Sequence, residues 1–425
     1  MPMANRINGD GLNLISISNI YLLKNLYTTK YNQARPLHSI VKHRGITLRS
    51  FIVASVLLLL LCICPGLLDH TQDVNAQKNA PSPTLSLIFI GDIMQHMPQV
   101  DAAFRTATGT YDYDSCFMFV KPIISRADFA IANLETTFAG EPYSGYPAFS
   151  TPAALANSLV YAGIDVLGTA NNHCCDRGKT GIERTISILD SLGLKHLGTY
   201  TTAVARTKTY PLMLRRNGIT VALLNYTYGT NGNPIYAPNV VNMIDTAFIR
   251  RDLLVARDSM PDKIIIFMHW GTEYEQQPNA SQKEIASFCL RNGADIIIGS
   301  HPHMLQPMEI FSMGDSLQKR EVMVAWSLGN YVSNQRNRYR DGGAMIRIDL
   351  QKNAIGTFIH KAGYELTWVY NPMQSGKKRY YILPVNSDSG NPFAMDSASI
   401  VQMHLFRDDA RLLFKAGNKR VGEWK

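Results

Sequence analysis

The chain has 425 residues with 46 % apolar and 18 % charged residues and a formal net charge of +9. That composition excludes a disordered or low-complexity polymer and allows a large core. The positive excess is uneven. Residues 1–50 carry seven Lys/Arg against one Asp, whereas the remainder is only mildly basic, so charge gives no reason to expect a nucleic-acid partner.

The run Phe51–Cys64 is 14 residues long and apolar but for Ser55, and about 18 residues long if counted on through Leu68. It lies at the boundary between a signal-peptide core and a membrane span. A basic flank (Lys42, Arg44, Arg49) precedes it and an acidic one (Asp69, Asp73) follows, which orients the body outward. Val74-Asn75-Ala76 offers a small-residue cleavage site, and an uncleaved anchor is the alternative. A bulky Leu61 before Cys62 argues against lipid attachment. Cys116, Cys174, Cys175 and Cys289 match no zinc or disulfide framework and read as buried thiols.

Beyond Thr84, strand and helix patterns alternate. Ser86–Asp92, Phe129–Asn133 and Asp165–Thr169 predict buried strands. A helix is expected through Ala162 with Thr151 as cap and Pro152 at its first position, and another over Gly178–Leu192. Asn217-Gly218 predicts a hairpin between Pro211–Leu214 and Ile219–Tyr226. Asp245–Ser259 and Ser281–Asn292 read as helices, alternating with strands at Lys263–Met268 and Asp295–Ile298. Strands at Glu321–Leu328, Ala344–Leu350, Phe358–Trp368 and Tyr380–Val385 and a helix near Ser397–Lys415 complete the chain. Hairpins among parallel-type units predict an α/β fold of two mixed sheets packed face to face with helices outside. The simplest division is a basic flank (1–50), a signal or anchor segment (51–68), a linker (69–84), one site-bearing domain (85–385) and a C-terminal helical extension (386–425).

Five of the apolar runs end in Asp, Glu, Asn or His: Ser86–Asp92, Phe129–Glu135, Asp165–His173, Lys263–His269 and Ala294–His303. Open α/β folds bind ligands beyond the carboxyl ends of their strands, and this mixed O/N donor set suits a divalent ion such as Mn²⁺, Fe²⁺ or Zn²⁺. In Ser300-His301-Pro302-His303 the two rings are expected on one side of an extended loop, with Pro302 restricting it. In Asn171-Asn172-His173-Cys174-Cys175-Asp176 an amide oxygen can ligate. A neighbouring His can donate a proton, and Asp176 is placed either to orient that ring or to cap the next helix. His96 reads as an exposed helix histidine rather than a further ligand. Glu273 can support the ligands, and Tyr274 can line the cleft. Arg336, Arg338 and Arg340 read as a solvated charged loop, with attraction of an anionic substrate as the alternative.

The order Gly-Asp, Asn-Leu-Glu, Ala-Asn-Asn-His-x-x-Asp-x-Gly, His-Trp-Gly-x-Glu-Tyr, Gly-Ser-His-Pro-His and Ser-Leu-Gly-Asn-Tyr, over Leu85–Tyr331, resembles the CapA-type capsule synthesis proteins, which are linked to poly-γ-glutamate and belong to the calcineurin-like metallophosphoesterases. The resemblance implies a four-layer α/β/β/α sandwich with one or two divalent ions (Mn, Fe or Zn). It implies metal ligands at Asp92, Glu135, Asn172, His269, His301 and His303, with His173 as catalytic acid and Asp176 as its partner. Met94 stands where classical members carry a His, and Glu135 where an Asp is usual. The implied activity is phosphoester hydrolysis in capsule biosynthesis outside the cytoplasmic membrane. The alternatives are a metal- and polyanion-binding assembly or export component without turnover, and a hydrolase or transferase of γ-glutamyl polymer. The implied partners are an anionic polymer or phosphoester, the membrane through the N-terminal segment, and other capsule synthesis proteins.

Overall fold

The computed structural model describes residues 82–314, 319–385 and 395–424. The basic flank, the apolar run Phe51–Cys64 and its cleavage site lie outside the described residues. Among the described residues no helix is long and apolar enough to cross a membrane.

In chain order the main elements are β1 (Thr84–Ile93), α1 (Met97–Ala103), β2 (Phe129–Leu134), α2 (Ala154–Ala162), β3 (Val166–Gly168), α3 (Gly178–Ser191), β4 (Lys195–Leu197), β5 (Leu212–Arg216), β6 (Ile219–Thr227), α4 (Thr246–Asp258), β7 (Lys263–His269), α5 (Ala280–Arg291), β8 (Ile296–Ser300), β9 (Leu305–Met313), β10 (Arg320–Leu328), β11 (Asn330–Val332), β12 (Gly342–Lys352), β13 (Thr357–Tyr370), β14 (Tyr381–Pro384), α6 (Ser397–Gly417) and β15 (Gly422–Glu423). The first sheet is nine-stranded, in the order β14-β13-β12-β1-β2-β3-β4, with β11 on β1 and β15 on β13. Its β1–β4 half is parallel, and its β12–β14 half antiparallel. The second sheet runs β9-β10-β8-β7-β6-β5, parallel at its centre and antiparallel at both edges.

Side chains alternate across a strand, and β1 divides accordingly. Leu85, Leu87 and Phe89 face the second sheet in one core, while Ile88 and Ile90 face α2 and the neighbouring helices in another. Phe89 meets Phe267 of β7 edge-on at 5.9 Å between ring centres. Helices α4 and α5 contribute Ile249, Leu253, Ala286 and Cys289 to the core on the far side of the second sheet. The layers are therefore helix, sheet, sheet, helix, the four-layer order expected.

Several local expectations differ. Helix α2 starts at Ala154 without a side-chain cap, because Thr151 Oγ1 pairs instead with Thr136 Oγ1 at 2.6 Å. Strands β9 and β11 were not foreseen; β9 begins directly after the His-Pro-His loop and pairs along β10. Apart from these differences, the C-terminal extension packs on the domain: β15 pairs with β13, Phe406 and Phe414 of α6 join the larger core, and Lys419 pairs with Glu309. Cys116, Cys174, Cys175 and Cys289 are free and buried.

A candidate two-sheet metal centre

The carboxyl ends of β1, β2 and β3 in one sheet meet those of β7 and β8 in the other. A bulge prepares the meeting. Ile90 pairs with Ala132, but Asp92 pairs with Asn133, so Gly91 is the extra residue. Bulges re-aim side chains at sheet ends. Only glycine fits at this one, because a Cβ would stand 2.2 Å from the Gly329 carbonyl oxygen. Asp92 is thereby delivered beside Asn133.

Asn133 spends its two amide hydrogens on carboxylates, donating to Asp92 Oδ1 at 2.8 Å and to Glu135 Oε2 at 3.2 Å. Asp92 Oδ2 accepts from the His301 backbone N–H at 3.3 Å and lies 3.1 Å from His303 Nδ1. Glu135 Oε1, fully buried, has no hydrogen-bond partner. It stands 3.8 Å from both His269 Nε2 and His303 Nε2. Asn172 Oδ1 lies 2.8 Å from His269 Nε2, and Ser300 Oγ lies 3.0 Å from His269 Nδ1. His301 Nδ1 is buried without a partner.

Burial and the adjacent Asp92 charge push the Glu135 carboxyl well above its ordinary range. Burial, reinforced by neighbouring imidazoles, holds His269 well below its ordinary value and His301 at about 3. His269 and His301 are therefore neutral, the form that ligates metal. Two groups of possible ligand atoms are wholly buried: Asp92, Glu135 and His303, and Glu135, His269 and His301. A third, Glu273, His301 and His303, opens to solvent. Carboxylate oxygen with imidazole nitrogen fits a divalent first-row ion.

The structure brings Asp92, Glu135, Asn172, His269, His301 and His303 together here, though not by the expected local geometry. His301 and His303 are not in extended chain; their φ angles are +97° and +57°. Each such conformation costs on the order of 1–3 kcal/mol. Asp92 accepting from the His301 N–H helps hold the loop. His173 Nδ1 lies 2.8 Å from Asp176 Oδ2, and its ring packs edge-on against Phe149 at 4.5 Å. Asp176 also accepts from the Phe149 N–H at 2.7 Å and from Asn233 at 3.3 Å. It does not cap α3, whose start has no side-chain cap bond. His96 is half-buried at the start of α1, and its ring lies 5.4 Å from that of Phe149. It is thus not an exposed helix residue.

The arginine loop is likewise not uniformly solvated. Arg336 packs over Trp368 with a buried Nη1, Arg338 pairs with Asp409, and Arg340 lies 4.2 Å over the ring of Tyr274 at the cleft edge. Asn133, Ser300 and Phe149 carry structural duties that sequence reading did not assign. The signal for Asn133 was available: an amide inside an apolar strand is costly unless bonded.

A bacterial capsule-synthesis sandwich is the class that this order of strand ends defines, and residues 86–335 match the family described as bacterial capsule synthesis protein PGA_cap. The chain belongs to that family. It is 29 % identical to "PGA biosynthesis protein CapA" of Bacillus subtilis (strain 168), over 66 % of this chain and 72 % of that one. It is 26 % identical to "Capsule biosynthesis protein CapA" of Bacillus anthracis, over 70 % and 71 %. Among solved structures, the Haemophilus influenzae NAD nucleotidase aligns with a TM-score of 0.43 at 12 % identity, over 78 % of this chain and 60 % of that one. The calcineurin-like phosphoesterase YfkN of Bacillus subtilis aligns with a TM-score of 0.40 at 13 % identity, over 78 % and 98 %.

Proposed function

We propose that this protein is an exported, divalent-metal-dependent hydrolase of phosphoester type, acting in the biosynthesis of an anionic capsule polymer. The observation that carries the reading is the Glu135 carboxylate, buried with one oxygen unpartnered and facing the imidazoles of His269 and His303. An uncompensated buried carboxylate is costly; a cation between these groups removes the cost. Asp92, Glu135, Asn172, His269, His301 and His303 would hold one or two ions, of Mn, Fe or Zn type. Such ions, when bound, polarise a tetrahedral anion and acidify water.

The chain's own residues supply the rest. His173 is tied to Asp176 through Nδ1, so its Nε2 is the ring atom available to protonate a leaving oxygen. Asp176, held by the Phe149 and Asn233 N–H groups, keeps the ring oriented. Arg340 at the rim adds a positive charge for an anionic substrate. Membership of a capsule synthesis family supports a polymer substrate, other capsule synthesis proteins as partners and a place in the cell envelope. The apolar run Phe51–Cys64 supports export or anchoring at the membrane.

The test is to purify residues 77–425, measure metal content by elemental analysis, and assay phosphodiester and phosphomonoester hydrolysis with added Mn²⁺. Bound metal with turnover that chelator abolishes is expected. Release of glutamate oligomers from polymer instead would assign amide chemistry, and metal without turnover on any of these substrates would leave a binding role in assembly.

A further inference from the structure

We propose that Glu273 is a metal ligand, completing from the solvent side the coordination of an ion held by His301 and His303. The inference rests on the metal-centre reading above and adds to it a ligand from outside the strand ends. A Glu273 carboxylate oxygen and one ring nitrogen each of His301 and His303 all lie within 4.8 Å of one another, close enough for a single ion to draw them together. A second observation points the same way. His301 is 2 % exposed, and its Nδ1 has no hydrogen-bond partner. A buried imidazole nitrogen without a partner is unfavourable, and ligation satisfies it.

The chain fixes Glu273 over the two rings. Gly271 turns the segment after β7 with φ +94°, and Tyr274 takes φ +68°. The Tyr274 N–H donates to the Pro302 carbonyl at 2.8 Å, so the residue after Glu273 is tied to the peptide between the two histidines. The donor count also has room for it. Met94, two positions after Asp92, is buried but offers only a thioether, a poor ligand for a borderline or hard ion. Strand β1 therefore supplies one ligand, and the buried group beside it is Asp92, Glu135 and His303. With two divalent ions bound, three carboxylates oppose four positive charges. The centre then keeps a net positive charge facing the opening, which suits an anionic substrate. Exposure of Glu273 makes it the ligand most easily displaced by that substrate.

The experiment compares wild-type protein, Glu273→Gln and the control Glu275→Gln, each stripped and titrated with Mn²⁺ by calorimetry, with elemental analysis after dialysis. Glu275 is exposed on the same loop, so its variant reports any general loss of surface charge. Thermal melts of the stripped proteins should coincide, since both side chains are exposed. In Glu273→Gln the Kd of the most weakly held ion should rise at least tenfold, with the tightest ion and the Glu275→Gln titration unchanged. Equal affinity for the weakest ion in wild type and Glu273→Gln overturns the assignment. Wild-type protein that takes up no Mn²⁺ overturns the metal-centre reading itself.

Discussion

Asp176 Oδ2 stands 2.8 Å from His173 Nδ1, and the same oxygen accepts the backbone N–H of Phe149 at 2.7 Å. The carboxylate is thus locked between a loop and an imidazole before any substrate arrives. A positioned acid of this kind typically contributes about 10²–10⁴ in rate. In a protein that turns over phosphoesters, His173→Ala should retain its metal and lose activity on that scale. Asp176→Asn should lose less, because the amide keeps a contact to the ring but carries no charge. Kinetics alongside elemental analysis checks both; metal loss in His173→Ala would make it a ligand instead.

His301 and His303 belong to the ligand groups on both sides of the centre. His301→Ala and His303→Ala should each lower bound metal and raise sensitivity to chelator. His303→Ala should be the more damaging, since its Nδ1 also meets Asp92 at 3.1 Å. Metal stoichiometry equal to wild type in both variants would rule out the assignment.

Acid should weaken the metal-free protein through its buried histidines. Burial holds His96 at about 4 and His301 at about 3, against 6.5 in the open chain. Below pH 6.5 the unfolded chain takes up protons that these histidines refuse in the folded state, so their contribution to stability falls as pH drops from about 6.5 toward 4 and 3. The raised Glu135 carboxyl works in the opposite sense, so the check is a difference: between pH 6.5 and 4 the melting temperature of stripped wild type should fall relative to that of His96→Gln.

Export should depend on the apolar run. A reporter active only outside the cytoplasm, fused beyond Thr84, should be active in a bacterial host. Two Lys inserted beside Leu59 should abolish the signal, since each central charge costs about 2.5–3.5 kcal/mol of insertion. An intact, inactive parent fusion in the cytosol would overturn the localisation.

Sequence by itself determined which residues end the strands. Asp92, Glu135, His269 and His303 follow apolar runs, and a buried strand must surrender its polar residues at its end. The alternation of runs likewise dictated two mixed sheets, because burial on both faces demands uninterrupted apolar strands. Tertiary structure alone decided how these ends meet. The Gly91 bulge exists because the Gly329 carbonyl crosses there, a contact 238 positions away that no local pattern carries. The left-handed His301 and His303 are held partly by Asp92 from another sheet, so an extended loop was the natural local expectation and the wrong one. The sequence left Asp176 between its neighbour His173 and the helix beside it; the Phe149 N–H and the Asn233 amide, from distant chain, hold it on the His173 side. Glu273 sits in an exposed turn that the sequence marks only as support for the ligands; the Tyr274 N–H bond to the Pro302 carbonyl ties that turn to the His-Pro-His loop.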